Sequence, residues 1–377
     1  MRLVFSLFKY FPYGGLQRDF YRIAECCARR GHEVHVLTRQ WDGTKPESFR
    51  IHLLPVKAFS NNGKNRQFYR LAQQKISELK PDLVVGFNKM PGLDVYFAAD
   101  PCYAAKVDEA RKSWLYRMTP RYRHFKEFEQ QLFSDNNAHF FVLTDQQAND
   151  YQRYYQTAAS QFYKLPPGIA RDRQAGENAE EVRKNFRKEF GLAERDNLLL
   201  LLGSGFRTKG VDRAIDALAA LPIELREKTR LFVVGKDNPA RYLQQAKQLG
   251  INEQVRFFSG RDDIPRFLQG ADLLIHPAYS EAAGMVLLEA IVAGLPVLVT
   301  DVCGFAYYID EAGAGVIHKS PFNAQLFTEQ LQTMLEDTRQ RQQWRENGIG
   351  FGRSADIFNL PERASDLIEQ FAREKQQ

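Results

Sequence analysis

The sequence predicts an α/β protein built from two Rossmann-like, doubly wound domains in tandem, and three observations predict it. Strand-like apolar runs alternate with helically spaced apolar positions from the first residues onward. The break Pro166-Pro167-Gly168 interrupts this alternation, because paired prolines stop both a helix and a central strand. A second alternation then starts, and its first run, residues 198–202, contains no polar side chain, as suits a strand covered on both faces.

Taken in order, residues 3–8 read as a strand and 10–15 as a turn. Leu16, Phe20, Ile23, Ala24 and Cys27 then fall at helical spacing up to Gly31. Val34, Val36 and Leu37 mark the next strand, with further strands expected at 50–54, 83–87 and 139–143 and a helix over 65–79. After the break, strands are expected at 198–202, 231–234, 255–258, 273–276 and 297–300, and a helix near 356–373 closes the chain. The expected domains are therefore 1–167 and 168–355, with 356–377 as a terminal helical segment. Ligands bind such sheets at the carboxyl ends of their strands, so two facing domains would place a site in the cleft between them.

Composition narrows the function classes. Hydrophobic residues make up 44% and charged residues 26% of the 377, which is a globular balance. No apolar run approaches the roughly 18 residues of a membrane span. The run 3–8 is too short for a signal-peptide core and Lys9 ends it. Cys26, Cys27, Cys102 and Cys303 form no CxxC pair, which points to a reduced, cytosolic chain. No carboxylates or histidines cluster after a strand as a metal site would. Residues 1–167 carry 25 Lys/Arg against 16 Asp/Glu, and the remainder 27 against 30. The excess of cations in the first half suits either a solvated basic surface or an anionic partner.

Three motifs follow predicted strands. Gly14-Gly15 opens the first helix and lets backbone N–H groups approach a phosphate, although a glycine pair also makes a plain turn. The local string is not GxGxxG, which weakens a nicotinamide or flavin reading. Residues 203–210 read GSGFRTKG and lack the GKS or GKT of a P-loop. Arg207 and Lys209 are then cations in a βα loop that could stabilise a departing diphosphate. The most specific motif is EAAGMVLLE, residues 281–289. Gly284 sits where a helix begins, so the backbone from Ala283 through Met285 to Val286 can face a phosphate. Glu281 precedes that helix and Glu289 lies inside it, so the two carboxylates can grip hydroxyls on two sugars of one ligand.

Glu281 and Glu289, eight residues apart, resemble the E-x7-E motif of retaining glycosyltransferases of the two-Rossmann-domain, GT-B type. Lys209-Gly210, Gly14-Gly15 and the C-terminal helix fit the same pattern, and the resemblance covers essentially the whole chain. Within that superfamily the strings KYFPYGGLQRDF (9–20), GFNKMPGLDVY (86–96) and 281–289 are similar to the lipopolysaccharide core glucosyltransferase I family. The resemblance implies transfer of a hexose, glucose favoured, from a UDP-sugar to an inner-core heptose of lipopolysaccharide. The UDP-sugar is then a substrate and no cofactor is expected. It implies a terminal helix that returns to the first domain and a peripheral location at the cytoplasmic face of the inner membrane. Gly15 and Lys209 would hold the donor pyrophosphate, with Arg173 reaching it from the hinge. Glu281 would contact sugar hydroxyls, Glu289 the ribose, and Arg261 the uracil, while Asp19 and Asp100 would be carboxylates on the acceptor side. The family usually has Arg directly before Lys-Gly. Here Thr208 stands there and Arg207 comes one residue earlier, so Arg207 is a displaced phosphate ligand.

The segment 103–130 holds seven Lys/Arg, four Asp/Glu and six aromatic residues. Rings among snorkelling cations suit an anionic membrane surface, with Trp114, Tyr116 and Phe125 as anchors, and an ordinary two-helix excursion packed on the domain fits as well; the resemblance favours the membrane surface. The cations are Lys106, Arg111, Lys112, Arg117, Arg121, Arg123 and Lys126, offset in part by Asp108, Glu109, Glu127 and Glu129, and Pro120 should kink the segment. The same composition suits single-stranded nucleic acid, but the cation-poor second half and the glutamate pair argue against that. A sugar-nucleotide epimerase, an N-acetylhexosamine donor and a sugar-nucleotide sensor without turnover remain open on sequence alone.

Overall fold

The computed structural model describes residues 1–12, 14–109 and 113–376, with Glu109 described in its backbone only. Tyr13 of the glycine-turn string, Arg111 and Lys112 of the basic segment, and the Glu109 side chain lie outside the described residues. The chain forms two compact units, Met1–Gly168 together with Asn359–Gln377, and Ile169–Phe358.

The first unit runs β1 (Arg2–Ser6), α1 (Gly15–Arg29), β2 (Glu33–Thr38), β3 (Phe49–Leu53), α2 (Asn61–Leu79), β4 (Leu83–Gly86), β5 (Val95–Phe97), α3 (Tyr103–Glu109), α4 (Trp114–Arg117), α5 (Pro120–Phe133), β6 (His139–Val142), α6 (Asp145–Tyr155) and β7 (Phe162–Lys164). The second runs α7 (Ala179–Glu189), β8 (Asn197–Leu202), α8 (Val211–Ala219), α9 (Ile223–Glu227), β9 (Thr229–Val234), α10 (Ala240–Gln248), β10 (Val255–Phe258), α11 (Ile264–Gly270), β11 (Leu273–His276), α12 (Met285–Val292), β12 (Val297–Thr300), α13 (Tyr307–Ala312), β13 (Gly315–His318), α14 (Ala324–Glu336) and α15 (Thr338–Ser354). Helix α16 (Leu360–Gln376) belongs to the first unit. There it packs on α1, where Arg30 pairs with Asp366 at 2.7 Å, and stacks Phe371 on His139.

Each unit holds one parallel sheet. The orders are β3-β2-β1-β4-β5-β6-β7 and β10-β9-β8-β11-β12-β13. Both orders reverse direction once, between β1 and β4 in the first sheet and between β8 and β11 in the second. Parallel strands need crossover helices on both faces, and the interior strands β4, β8, β11 and β12 are accordingly buried from end to end. The expected strands and helices are present within a few residues. The strands β5, β7 and β13 were not foreseen; β5 and β7 have three residues each, too few for a periodic signal.

The aromatic–basic segment differs most from expectation. Pro120 does not kink a helix. It occupies the first turn of α5, where its missing N–H costs nothing, after an N-cap in which Thr119 accepts from the Tyr122 N–H at 3.2 Å. Tyr122 and Phe128 are interior side chains, and Tyr116 is half-buried. Glu129 is not a surface charge. It is 0% exposed, forms an ion pair with Lys89, and accepts from the backbone N–H of Tyr103 (2.7 Å) and Ala104 (3.2 Å) and from the Tyr155 hydroxyl (2.6 Å). Lys89 also donates to the Pro101 carbonyl at 2.8 Å. One carboxylate thus satisfies the start of α3, the end of α6 and the loop after β4.

Breaking such a buried pair leaves an uncompensated charge, at a typical cost of about 3–5 kcal/mol. Glu129→Ala should therefore destabilise the first unit by about that amount. Lys89→Met with Glu129→Leu, which removes both charges, should recover a large part of the loss. Urea unfolding of the single and double variants measures both.

Candidate active site

The second sheet places Lys209 and Glu281 by its strand order. β8 and β11 are neighbours across the point where the order reverses, with Leu199 beside Leu273 and Leu200 beside Leu274. Ligands of such sheets bind beyond the carboxyl ends of those strands. The loop after β8 carries Lys209, and the segment after β11 carries Glu281. The two loops approach at backbone distance: Tyr279 N–H donates to the Thr208 carbonyl at 2.8 Å. Gly210 is required here. Its φ is +73°, and a Cβ would lie 2.0 Å from the Pro277 carbonyl oxygen.

Lys209 and Glu281 form an ion pair, both side chains largely buried. Burial pulls the Lys209 ammonium down to about 8, opposed by the charge of the neighbouring Cys303. Glu281 is fixed in turn by its backbone, whose carbonyl accepts from Gly304 N–H at 3.2 Å beside a bridge to Cys303. Sequence reasoning missed His276, the last residue of β11. It is completely buried, and its Nε2 lies 3.6 Å from the Glu281 carboxylate. Burial, reinforced by the nearby Lys209 charge, lowers its pKa to about 3, so the imidazole is neutral. A polar residue closing an apolar strand at the reversal point was the available signal.

Helix α12 follows directly. Gly284 is its N-cap in a left-handed conformation, and the first turn of an α-helix leaves N–H groups without intrahelical acceptors. Ala283 and Gly284 are buried, and Met285 and Val286 half-buried. The helix is held from behind by α15, where a Cβ on Gly348 would meet the Ile291 carbonyl oxygen at 2.4 Å. Glu289, one turn on, is buried with its Oε1 3.7 Å from Arg173 Nε. The structure thus pairs Arg173 with the second glutamate of the motif. Arg261 is bound to its neighbour Asp263 at 2.6 and 2.8 Å. Any base contact by Arg261 must share the guanidinium with that carboxylate. Arg207 is exposed.

The remaining predicted residues belong to the first unit. Gly15 is the first residue of α1, exposed, with open space where a Cβ would stand. Asp19 is half-buried in the next turn, and Asp100 is exposed in the loop after β5, where its carbonyl accepts from the Tyr151 hydroxyl at 3.0 Å. Among the described residues no three His, Cys, Asp or Glu side chains gather as a metal site.

Residues 182–351 match the group 1 glycosyl transferases, and residues 13–173 match glycosyltransferase family 4. The chain is 49% identical over 369 residues to the lipopolysaccharide glucosyltransferase WaaG of Escherichia coli (strain K12), with 98% of each sequence covered. The chain belongs to the group 1 glycosyltransferases. The crystal structure of WaaG, a glycosyltransferase involved in lipopolysaccharide biosynthesis, superposes with a TM-score of 0.94 at 49% identity, covering 97% of this glycosyltransferase and 99% of that chain. Anabaena Alr3699/HepE, solved with UDP and glucose, shares the fold at a TM-score of 0.74 and 17% identity, covering 98% and 100% of the two chains. The architecture is therefore the GT-B type, and the enzyme is a hexosyltransferase.

Two expectations follow from this geometry. Lys209→Ala and Glu281→Ala should each lower turnover by on the order of 10²-fold or more, the size expected for one lost transition-state contact. Arg207→Ala should stay close to the parent enzyme. Steady-state kinetics of the three variants decides between them. The second concerns His276. A group whose pKa falls on folding gives stability that is present above its unfolded value of 6.5 and is lost as pH falls toward about 3. The urea midpoint should drop across that window, and His276→Asn should flatten the drop.

Proposed function

We propose that this glycosyltransferase moves a hexose, glucose favoured, from a UDP-sugar to an inner-core heptose of lipopolysaccharide, with retention of the donor's α configuration. The observation that carries the reading is the Lys209–Glu281 pair beside the N-terminus of α12, in a chain 49% identical to a lipopolysaccharide glucosyltransferase. Lys209 and the first N–H groups of α12 hold the diphosphate. Glu281 accepts from the hexose hydroxyls and Glu289 from the ribose, with Arg173 standing beside Glu289; Arg261 meets the uracil. The bond from the anomeric carbon to the β-phosphate oxygen breaks, and a bond to the acceptor oxygen forms on the same face. The acceptor proton passes to the departing phosphate. Asp19 and Asp100 orient the acceptor. Fixed cations and helix donors stabilise the leaving UDP, so no divalent metal is required.

The acceptor is tethered to a bilayer, so the enzyme works at the cytoplasmic face of the inner membrane. Among the described residues no helix is long and apolar enough to cross a membrane. Surface adsorption through residues 103–130 supplies the contact. Trp114, Leu115 and Met118 are 69%, 58% and 53% exposed around α4, with Arg117, Arg121 and Arg123 also exposed nearby. Nearby cations add about 1 kcal/mol each on an anionic surface.

The test is transfer to lipopolysaccharide truncated at the heptoses, across UDP-glucose, UDP-galactose and their N-acetylated amines. UDP-glucose should turn over fastest, in EDTA as well as in magnesium, and the product should show an α linkage by NMR. A β linkage, or loss of activity in EDTA restored by magnesium or manganese, overturns the corresponding part of the reading.

A further inference from the structure

The first unit exposes a second apolar feature. Phe59, in the loop between β3 and α2, is 101% exposed. The loop that carries it is braced on both sides. Gln67 Oε1 accepts from the backbone N–H of Lys57 (2.9 Å) and Ala58 (3.0 Å), and Ser60 caps α2 by accepting from Gly63 N–H at 3.1 Å. The backbone is thus held in place on either side of a ring that touches only solvent.

The stretch of chain that carries it holds charges of one sign. Residues 54–77 contain five Lys/Arg and no Asp or Glu. Helix N-termini ordinarily attract acidic side chains, yet α2, α4 and α5 all lack them in their first turns. Lys57, Arg66 and Arg70 are exposed.

Topology places this loop beside α4. In a parallel sheet each crossover helix runs against the strands, so its N-terminus lies at the carboxyl edge of the sheet. Helix α2 connects β3 to β4, and the α3–α5 segment connects β5 to β6 in the same direction along the strand order. Both therefore lie on one face, and they touch: Arg66 pairs with Glu127, and Tyr69 packs on Phe128 with ring centroids 5.7 Å apart. The loop entering α2 and the turn entering α5 consequently share one end of one helical layer.

We infer that Phe59 is a second membrane anchor, inserting into an anionic bilayer alongside Trp114, Leu115 and Met118 while Lys57, Lys64 and Arg70 meet lipid headgroups. This rests on the surface reading of α4 given above and adds a separate contact to it. Two contacts at one end of the layer turn the carboxyl edge of the first sheet, where β1 leads to Asp19 and β5 to Asp100, toward the bilayer. A single contact would leave the unit free to rotate about it.

The native cysteines are buried, so a cysteine at position 59 can be labelled selectively. The experiment places the environment-sensitive dye NBD on Phe59→Cys and, as a control, on Ile223→Cys, an exposed apolar position in the second unit. Vesicles containing phosphatidylglycerol should brighten and blue-shift the dye at 59 and leave it unchanged at 223; phosphatidylcholine vesicles should do neither. In co-sedimentation, Phe59→Ser should bind phosphatidylglycerol vesicles about tenfold more weakly than the parent, the scale of one buried aromatic side chain, and Phe59→Trp should bind as the parent does. Parent-like binding of Phe59→Ser with an unchanged dye signal overturns the Phe59 contact and leaves the α4 contact standing. A parent protein that does not sediment with these vesicles overturns both. A blue shift that grows with protein concentration in the absence of vesicles assigns the ring to a second copy of the chain and overturns the inference.

Discussion

One ladder carries the chemistry of the second unit: β8 against β11. These strands are more than seventy residues apart in sequence and adjacent in the sheet. Their pairing fixes where both following loops begin, and Gly210 lets the loops close to backbone distance. A buried ammonium is costly unless an anion stands beside it, and a buried carboxylate has the complementary need. Lys209 and Glu281 meet both needs at once. The all-leucine interior of β8 and the tight α12–α15 contact serve the same end, because they leave the pair little freedom to relax away.

The first unit uses the same physics for a different purpose. Glu129 and Lys89 are a buried ion pair with no place in the proposed chemistry. Their partners are the Pro101 carbonyl in the loop after β5, Tyr103 at the start of α3, and Tyr155 at the end of α6. This locks the interior of the segment that presents Trp114 and the cations outward. The segment carries apolar side chains on its surface, which by themselves would favour collapse into the core. A buried polar network with specific geometry gives the inside of the segment one arrangement and leaves the outside free to carry rings.

Much of this was legible from residue order. Alternating periodicity marked both sheets, and the glutamate spacing with a glycine-opened helix marked α12. Those signals are local, so a linear reading reaches them. What escaped depends on distant partners. His276 looked like the end of an apolar strand because its meaning comes from Lys209, many residues earlier. Glu129 counted as a surface charge because Lys89 and Tyr155, which neutralise and bind it, lie forty residues before it and twenty-six after. Pro120 suggested a kink because nothing in the string itself shows that Thr119 caps a new helix there. Phe59 carried no periodic signal at all; only the solvent around it distinguishes it from a core phenylalanine.

The Lys209–Glu281 pair also constrains how a donor can bind. A diphosphate arriving at Lys209 meets a cation already partnered, so binding exchanges one anion for another and gains only the difference between two pairings. The displaced carboxylate must then be satisfied in the same largely buried place. His276 cannot do this as a cation, since its burial beside Lys209 keeps the imidazole neutral. Hexose hydroxyls are donors of the right kind, and on the proposed reaction they arrive with the diphosphate. A free diphosphate takes the cation and leaves Glu281 to lose or reorganise its contacts, whereas the intact sugar nucleotide satisfies both groups. On the proposed reaction the pair would therefore favour the complete donor over the nucleotide product, with the carboxylate returning to Lys209 as UDP leaves.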